Sequence, residues 1–143
     1  MTQPNDDQTN DASADRNRQH PTERFAPPAQ AFDFAAAAAE LTGEGAPAVR
    51  GRRQKTLYRH GTASLALFLF EAGSELREHR TAGTVFIQIL RGRLTVGADG
   101  QQHTLTAGHV LVLSPNVPHD LHAEELTHML LTVSLQPQAE PNP

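Results

Sequence analysis

Two histidines, His79 and His119, lie in glycine-bounded segments whose residue types suit chemistry. His79 follows Gly73 after five intervening residues, and its segment closes at Gly92. His119 ends a segment that begins at Gly108 and continues as an apolar run. An imidazole holds a divalent metal, transfers a proton near neutral pH or forms hydrogen bonds. The sequence therefore indicates one shared site, provided that the fold brings the two rings together.

The first segment resembles the first of the paired motifs of the cupin superfamily. Gly73, His79 and Gly92 fall in register with that motif. Thr81 stands at its second His position, and Val85 stands at its Glu position.

The second segment resembles the second cupin motif, in which Gly108 and His119 match. The differences from the motif are at Ser114, Asn116 and Ala123, where the family has Pro, Gly and Asn. Asn116 suits the same turn, since Asn tolerates a left-handed backbone. The cupin motifs have four metal-ligand positions, and in this sequence His79 and His119 are the residues that match the family's ligands.

The resemblance implies an all-β protein, with a cupin jelly-roll barrel over residues 50–135. It also implies a small-molecule ligand, and either a divalent metal (Fe, Mn, Zn or Ni) or no cofactor. Pairing into a homodimer is a further family expectation, and outward-facing Phe86 and Leu90 are consistent with a covered outer face.

The residue pattern independently predicts β-structure. Short runs rich in Val, Ile, Leu and Thr alternate with turn residues between residues 54 and 134. The predicted strands are 54–60, 63–70, 76–80, 84–91, 93–97, 101–105, 109–113, 119–123 and 128–134. Asp99-Gly100 is a favoured hairpin turn.

The flanks differ from this region in composition. Residues 1–30 are polar and proline-rich, which predicts a disordered tail, and residues 136–143 predict a second disordered end. Residues 31–43 contain an Ala run, which predicts a short helix that is capped by Asp33 and packs on the barrel through Phe34 and Leu41.

Strand alternation predicts which side chains line the interior, because residues two apart share a face. The predicted pocket contains the two histidines and mainly apolar neighbours. Its members are His79, Thr81, Val85, Ile87, Ile89, His119 and Leu121.

The metal ligands predicted from the sequence are His79 and His119. Gln88 is a weaker candidate, which requires a β-bulge to turn it inward. Glu78 and Asp120 are adjacent to the histidines and are expected on the opposite face, and Glu125 lies six residues beyond His119. A catalytic Zn²⁺ normally takes three protein ligands, and a non-haem Fe(II) site takes two imidazoles and a carboxylate, so this set falls short of both.

Three functions follow from these observations. The first is a protein that binds a small molecule in the barrel interior and has a reduced metal site. The second is a metal-dependent enzyme, a dioxygenase or an isomerase, that uses His79 and His119. The third is a regulatory partner-binding domain. The two imidazoles have three readings, as metal ligands, as acid–base groups, or as hydrogen-bonded remnants of a metal site.

The overall composition narrows the partners and the location. The net charge of −4 argues against a general affinity for nucleic acid or anionic membranes. With no Cys, disulfides and thiolate sites are excluded. The absence of a secretion signal or a long apolar run predicts a cytoplasmic protein without membrane contact.

Charged residues outside the motifs have simple structural readings. The basic run from Arg50 to Arg59 indicates a charged edge strand rather than a nucleic-acid contact. The remaining histidines of the β-region are expected at the surface. They are His103, His109, His122 and His128.

Overall fold

The computed structural model describes residues 26–43 and 48–136. The chain divides into two units, residues 1–30 and 31–143. Within the first unit, residues 26–30 form neither helix nor strand. Residues 1–25 and 137–143, which account for most of both predicted tails, lie outside the described residues.

The Ala run forms one helix, α1, over Phe34–Gly43. It begins after Asp33, because the Asp33 carboxylate accepts a hydrogen bond from the Ala36 amide at 3.0 Å and so caps a free N–H group. Leu41 is buried against Leu67 and Leu69 of the adjacent sheet. The helix therefore packs on the five-stranded sheet through Ala38 and Leu41, while Phe34 is half-buried.

Nine strands follow within residues 48–136, and the ends of each lie within two residues of a predicted strand. They are β1 (Arg52–His60), β2 (Ala63–Phe70), β3 (Glu75–His79), β4 (Gly83–Arg91), β5 (Arg93–Ala98), β6 (Gln101–Thr106), β7 (Val110–Leu113), β8 (His119–Ala123) and β9 (Thr127–Leu135). All pairings are antiparallel, in a five-stranded sheet β1-β2-β9-β4-β7 and a four-stranded sheet β3-β8-β5-β6. This is the all-β jelly-roll arrangement that the motifs imply.

Alternate residues of both sheets face one apolar core. Ile87 and Ile89 on β4 are each 1% exposed, and Leu94 and Val96 on β5 are completely buried. Both pairs belong to the same buried cluster, so the core lies between the two sheets. Alternation therefore predicts the inward face of β4 correctly.

The backbone conformations of the turn residues and the position of the basic run also agree with the sequence. Asp99 and Gly100 have φ of 53° and 74°, the pair of positive angles that a type I′ hairpin requires. Asn116 has φ of 67°, in the left-handed region. The basic run lies on β1, which is an edge strand, and its Lys55 forms an ion pair with Glu40 of α1 at 3.1 Å.

In the part of the chain that the structure describes, no helix combines the length and apolarity needed to cross a membrane.

Gly92, the closing glycine of the first motif, lies where two chain segments meet closely. Its φ is 95°, and an added Cβ would come within 2.7 Å of the Thr127 Cα and closer still to the Leu126 carbonyl oxygen. Thr127 is fully buried, and its hydroxyl is hydrogen-bonded to the Arg93 backbone at 3.1 Å. A side chain at position 92 would therefore separate these segments.

We expect Gly92→Ala to reduce the free energy of unfolding by more than about 4 kcal/mol, because the neighbouring backbone atoms cannot move away from the added Cβ. Gly108→Ala is the matched control. Its φ is 93°, but an added Cβ meets nothing within 4 Å, so only backbone strain of about 1–3 kcal/mol applies. Urea denaturation of both variants measures the difference, and equal losses would contradict the close approach.

Candidate functional site

The two motif histidines are partners across the β3–β8 pair. Glu75 pairs with His122 and Leu76 with Leu121, and the register then shifts so that His79 pairs with His119. This irregularity adds one residue to β3 before His79. The four-stranded sheet itself therefore brings the motif histidines together.

The imidazole rings are in contact. Their centroids are 4.3 Å apart, and the ring planes are inclined at 58°. His119 is 4% exposed, whereas His79 is exposed to solvent. The pair thus connects the barrel core with the surface.

Each ring is held through the same nitrogen by the backbone of its own strand region. His79 Nδ1 lies 2.9 Å from the Arg77 carbonyl oxygen, and His119 Nδ1 lies 2.9 Å from that of Val117. A carbonyl oxygen only accepts hydrogen bonds, so Nδ1 donates in both rings. In the neutral form, each Nε2 then carries a free lone pair. Metal-binding imidazoles are anchored in the same way.

Burial keeps the inner imidazole neutral. Loss of solvent lowers the pKa of His119 below its ordinary value of 6.5, against the raising effect of the Val117 carbonyl. Charge on His79 lowers the pKa further, and Asp120 raises it. The folded state therefore disfavours protonation of His119. As the pH falls through 6.5 towards the folded-state pKa, this residue lowers the free energy of unfolding.

The apolar members of the predicted pocket lie in the packed core. Val85, Ile87, Ile89 and Leu121 are each at most 5% exposed. Thr81 lies in the connection after β3, where its carbonyl accepts a hydrogen bond from the Asn116 amide at 2.8 Å.

Gln88 does not join the histidines. The β4–β9 register runs without interruption from Val85 to Ile89, so the inward turn that a ligand at position 88 requires is absent there. Gln88 is exposed on the face opposite the core. The structure thus contradicts its weak assignment as a metal ligand.

The donor set at the pair consists of two imidazoles. Within residues 26–43 and 48–136, no group of three His, Cys, Asp or Glu side chains is placed to hold a metal. Val85, at the family's carboxylate position, is 2% exposed and packs in the core. These residues do not fit a resident catalytic metal with three protein ligands.

The sequence does not predict the positions of two polar residues, Arg91 and His128. His128, expected at the surface, is half-buried, and desolvation followed by the Arg91 charge lowers its pKa. Both residues line a cavity of about 880 Å³ between α1 and the five-stranded sheet. Leu90 also lines this cavity and packs in the cluster beneath α1, so it is not left as an open outer face. No sequence pattern marks the register shift between Ile89 and Arg91 in the β4–β9 pair, on which this arrangement depends.

The geometry agrees with a family assignment. A model of the AraC-like ligand binding domain matches residues 63–138, just over half of the chain, and the match spans both histidines. The chain belongs to this family. A search of the curated proteins finds no match.

Solved structures show the same fold. A conserved protein of unknown function from Streptococcus pyogenes is 25% identical, with a TM-score of 0.61, over 82% of this chain and 96% of the other. A cupin superfamily protein from Desulfitobacterium hafniense is 18% identical, with a TM-score of 0.63, over 80% and 98%. Salicylate 1,2-dioxygenase from Pseudoaminobacter salicylatoxidans, in its gentisate adduct, is 21% identical, with a TM-score of 0.68, over 78% of this chain and 35% of the enzyme. The protein therefore contains an AraC-like ligand binding domain and has a cupin fold.

We expect His79→Ala to raise the pKa of His119, because it removes the neighbouring charge that lowers this pKa in the wild-type protein. The midpoint of the His119 Cε1–H chemical shift in an NMR titration measures the change. Glu78→Ala, at the neighbouring exposed position, is the control. A lower His119 pKa in His79→Ala would contradict the electrostatic coupling of the two rings.

Proposed function

We propose that the protein binds a small organic molecule through the Nε2 atoms of His79 and His119. One observation carries this proposal. Both Nδ1 atoms are committed to backbone carbonyls, so the Nε2 atoms of two rings in contact across adjacent strands remain for a ligand. Membership of the AraC-like ligand binding family supports the same function.

The acceptors define the class of ligand. A neutral Nε2 pairs with a hydroxyl or an N–H donor, and two such atoms favour a ligand with adjacent donors, such as a diol or a dihydroxy aromatic compound. The depressed pKa of His119 keeps its acceptor available at neutral pH.

The ligand contacts the pair from the solvent side. The core beneath the strands is closely packed, so a deep interior pocket is not the position that we propose. His79 also lines a polar cleft of about 540 Å³, together with Arg52 and Arg77. This cleft offers room for the rest of a polar ligand next to the exposed ring.

The second candidate function is that of a metal-dependent enzyme, a dioxygenase or an isomerase. The Nδ1 anchors favour it, because they present both Nε2 atoms as metal ligands are presented. The donor set opposes it, because two imidazoles leave at least one protein position of a catalytic metal unfilled. A metal with this coordination would depend on oxygen ligands from water or the substrate.

A panel of diols, monosaccharides and catechols tests the first function, and Zn²⁺ alone tests the second, all on tag-free protein. Long-range ¹H–¹⁵N NMR follows the Nε2 resonances of both rings. We expect saturable shifts of both Nε2 signals with an organic probe. His79→Gln and His119→Gln should each weaken binding by about tenfold or more, the loss of roughly one good hydrogen bond.

His103→Gln is the matched control, since His103 lies on β6 of the same sheet. Nε2 signals that stay fixed with every probe, Zn²⁺ included, would overturn the proposed site. Stoichiometric Zn²⁺ binding that both substitutions abolish, without any organic binding, would favour the metal-dependent function instead.

A homodimer is part of the proposal. Phe86 is 36% exposed and pairs with Val112, which is 52% exposed, while the neighbouring Val110 is 54% exposed. This outer strip of β4 and β7 is the apolar surface that a second copy would cover.

We expect Val112→Lys to shift the protein towards the monomer in sedimentation analysis, because a buried unpaired charge opposes association. Gln54→Lys on the opposite edge strand β1 is the control. A wild-type protein that is monomeric at every concentration measured would rule out the dimer.

A further inference from the structure

The cavity of about 880 Å³ lies between α1 and the outer face of the five-stranded sheet. Its volume is within the range of pockets that hold small molecules. The motif histidines lie on the four-stranded sheet, so this cavity is distinct from the site proposed above.

The Ala run of α1 accounts for the open space. Ala35, Ala38, Ala39 and Thr42 line the cavity, and their spacing of three, four and seven residues places them on one helical face. Leu41 and Ala38 meanwhile pack on the sheet and hold the helix in place. Small side chains therefore leave a volume that larger helix-forming residues would fill.

The opposite wall is apolar with a charged border. Leu69, Leu90 and Leu126 contribute aliphatic surface, and Arg53, Arg91 and Glu71 contribute charges. Arg91 places a positive charge at this border, while burial favours the neutral form of His128. An apolar cavity with a guanidinium at its border complements an apolar monoanion.

Arg91 reaches this wall because β4 is irregular. Ile89 pairs with Met129 and faces the core, and strict alternation would turn Arg91 towards the core as well. The register shift between Ile89 and Arg91 instead pairs Arg91 with His128, and Leu90 and Arg91 both line the cavity. Among the described residues, Arg91 forms no ion pair, so its guanidinium is available to a ligand.

We propose that this cavity binds an amphipathic monocarboxylate, with its apolar body between α1 and the leucines and its carboxylate on Arg91. A guanidinium binds a carboxylate through two parallel N–H bonds, which gives the site its preference for an acid over an alcohol.

Titration calorimetry and methyl NMR with decanoate test the proposal. The neutral alcohol 1-decanol, which has the same chain length, is the control ligand. Decanoate is kept below its critical micelle concentration. We expect one decanoate per chain, with shifts at the Leu69, Leu90 and Leu126 methyls, and binding at least about tenfold weaker for decanol. Arg91→Gln should reduce decanoate affinity by a similar factor and abolish the preference for the acid. Arg59→Gln, on an exposed position of β1 outside the cavity, is the control.

A variant that fills the cavity distinguishes binding in the cavity from binding elsewhere on the surface. Ala39→Phe places a ring into the cavity from an exposed helix position and should abolish binding, whereas Ala36→Phe, on the helix outside this cavity, should leave it unchanged. Thermal denaturation establishes that each variant is folded. Equal affinity for decanoate and decanol, binding that survives Ala39→Phe in a folded protein, or no binding at millimolar decanoate would each overturn the proposal.

Discussion

The pairing of β3 with β8 is the constraint on which the candidate site depends. If the register of Leu76 with Leu121 continued, the residue opposite His119 would be Glu78, two positions further along each strand. One extra residue in β3 puts His79 there instead. Because side chains alternate between faces, a single-residue shift decides whether His119 meets an imidazole or a carboxylate.

A second irregularity, in β4, has the same effect on the outer face of the barrel. The strand contributes Ile87 and Ile89 to the core and then turns Arg91 outwards to pair with His128. In both places, the regular part of the strand builds the apolar core and the irregular end positions a polar group. Within residues 26–43 and 48–136, the charged side chains lie outside the buried core, where solvation offsets the cost of burying them.

The candidate site offers two imidazoles where the cupin motifs that the sequence resembles have four metal ligands. The two surviving imidazoles have anchored Nδ1 atoms and free Nε2 lone pairs, whereas Val85 in the carboxylate position completes the core. This combination favours recognition of hydrogen-bond donors over a strongly held metal. Family membership in the AraC-like ligand binding domains leads to the same expectation, while likeness to a dioxygenase at 21% identity concerns the fold.

The sequence by itself determined the strand boundaries, the cap at Asp33, the left-handed turn at Asn116 and the inward face of β4, because these depend on local propensity and a period of two. Only the tertiary structure decided which residue opposes His119, that Gln88 faces outwards, and that Arg91 and His128 border a cavity beneath α1. Register shifts and helix docking arise from contacts between distant segments, and the local pattern of a strand carries no record of its partner.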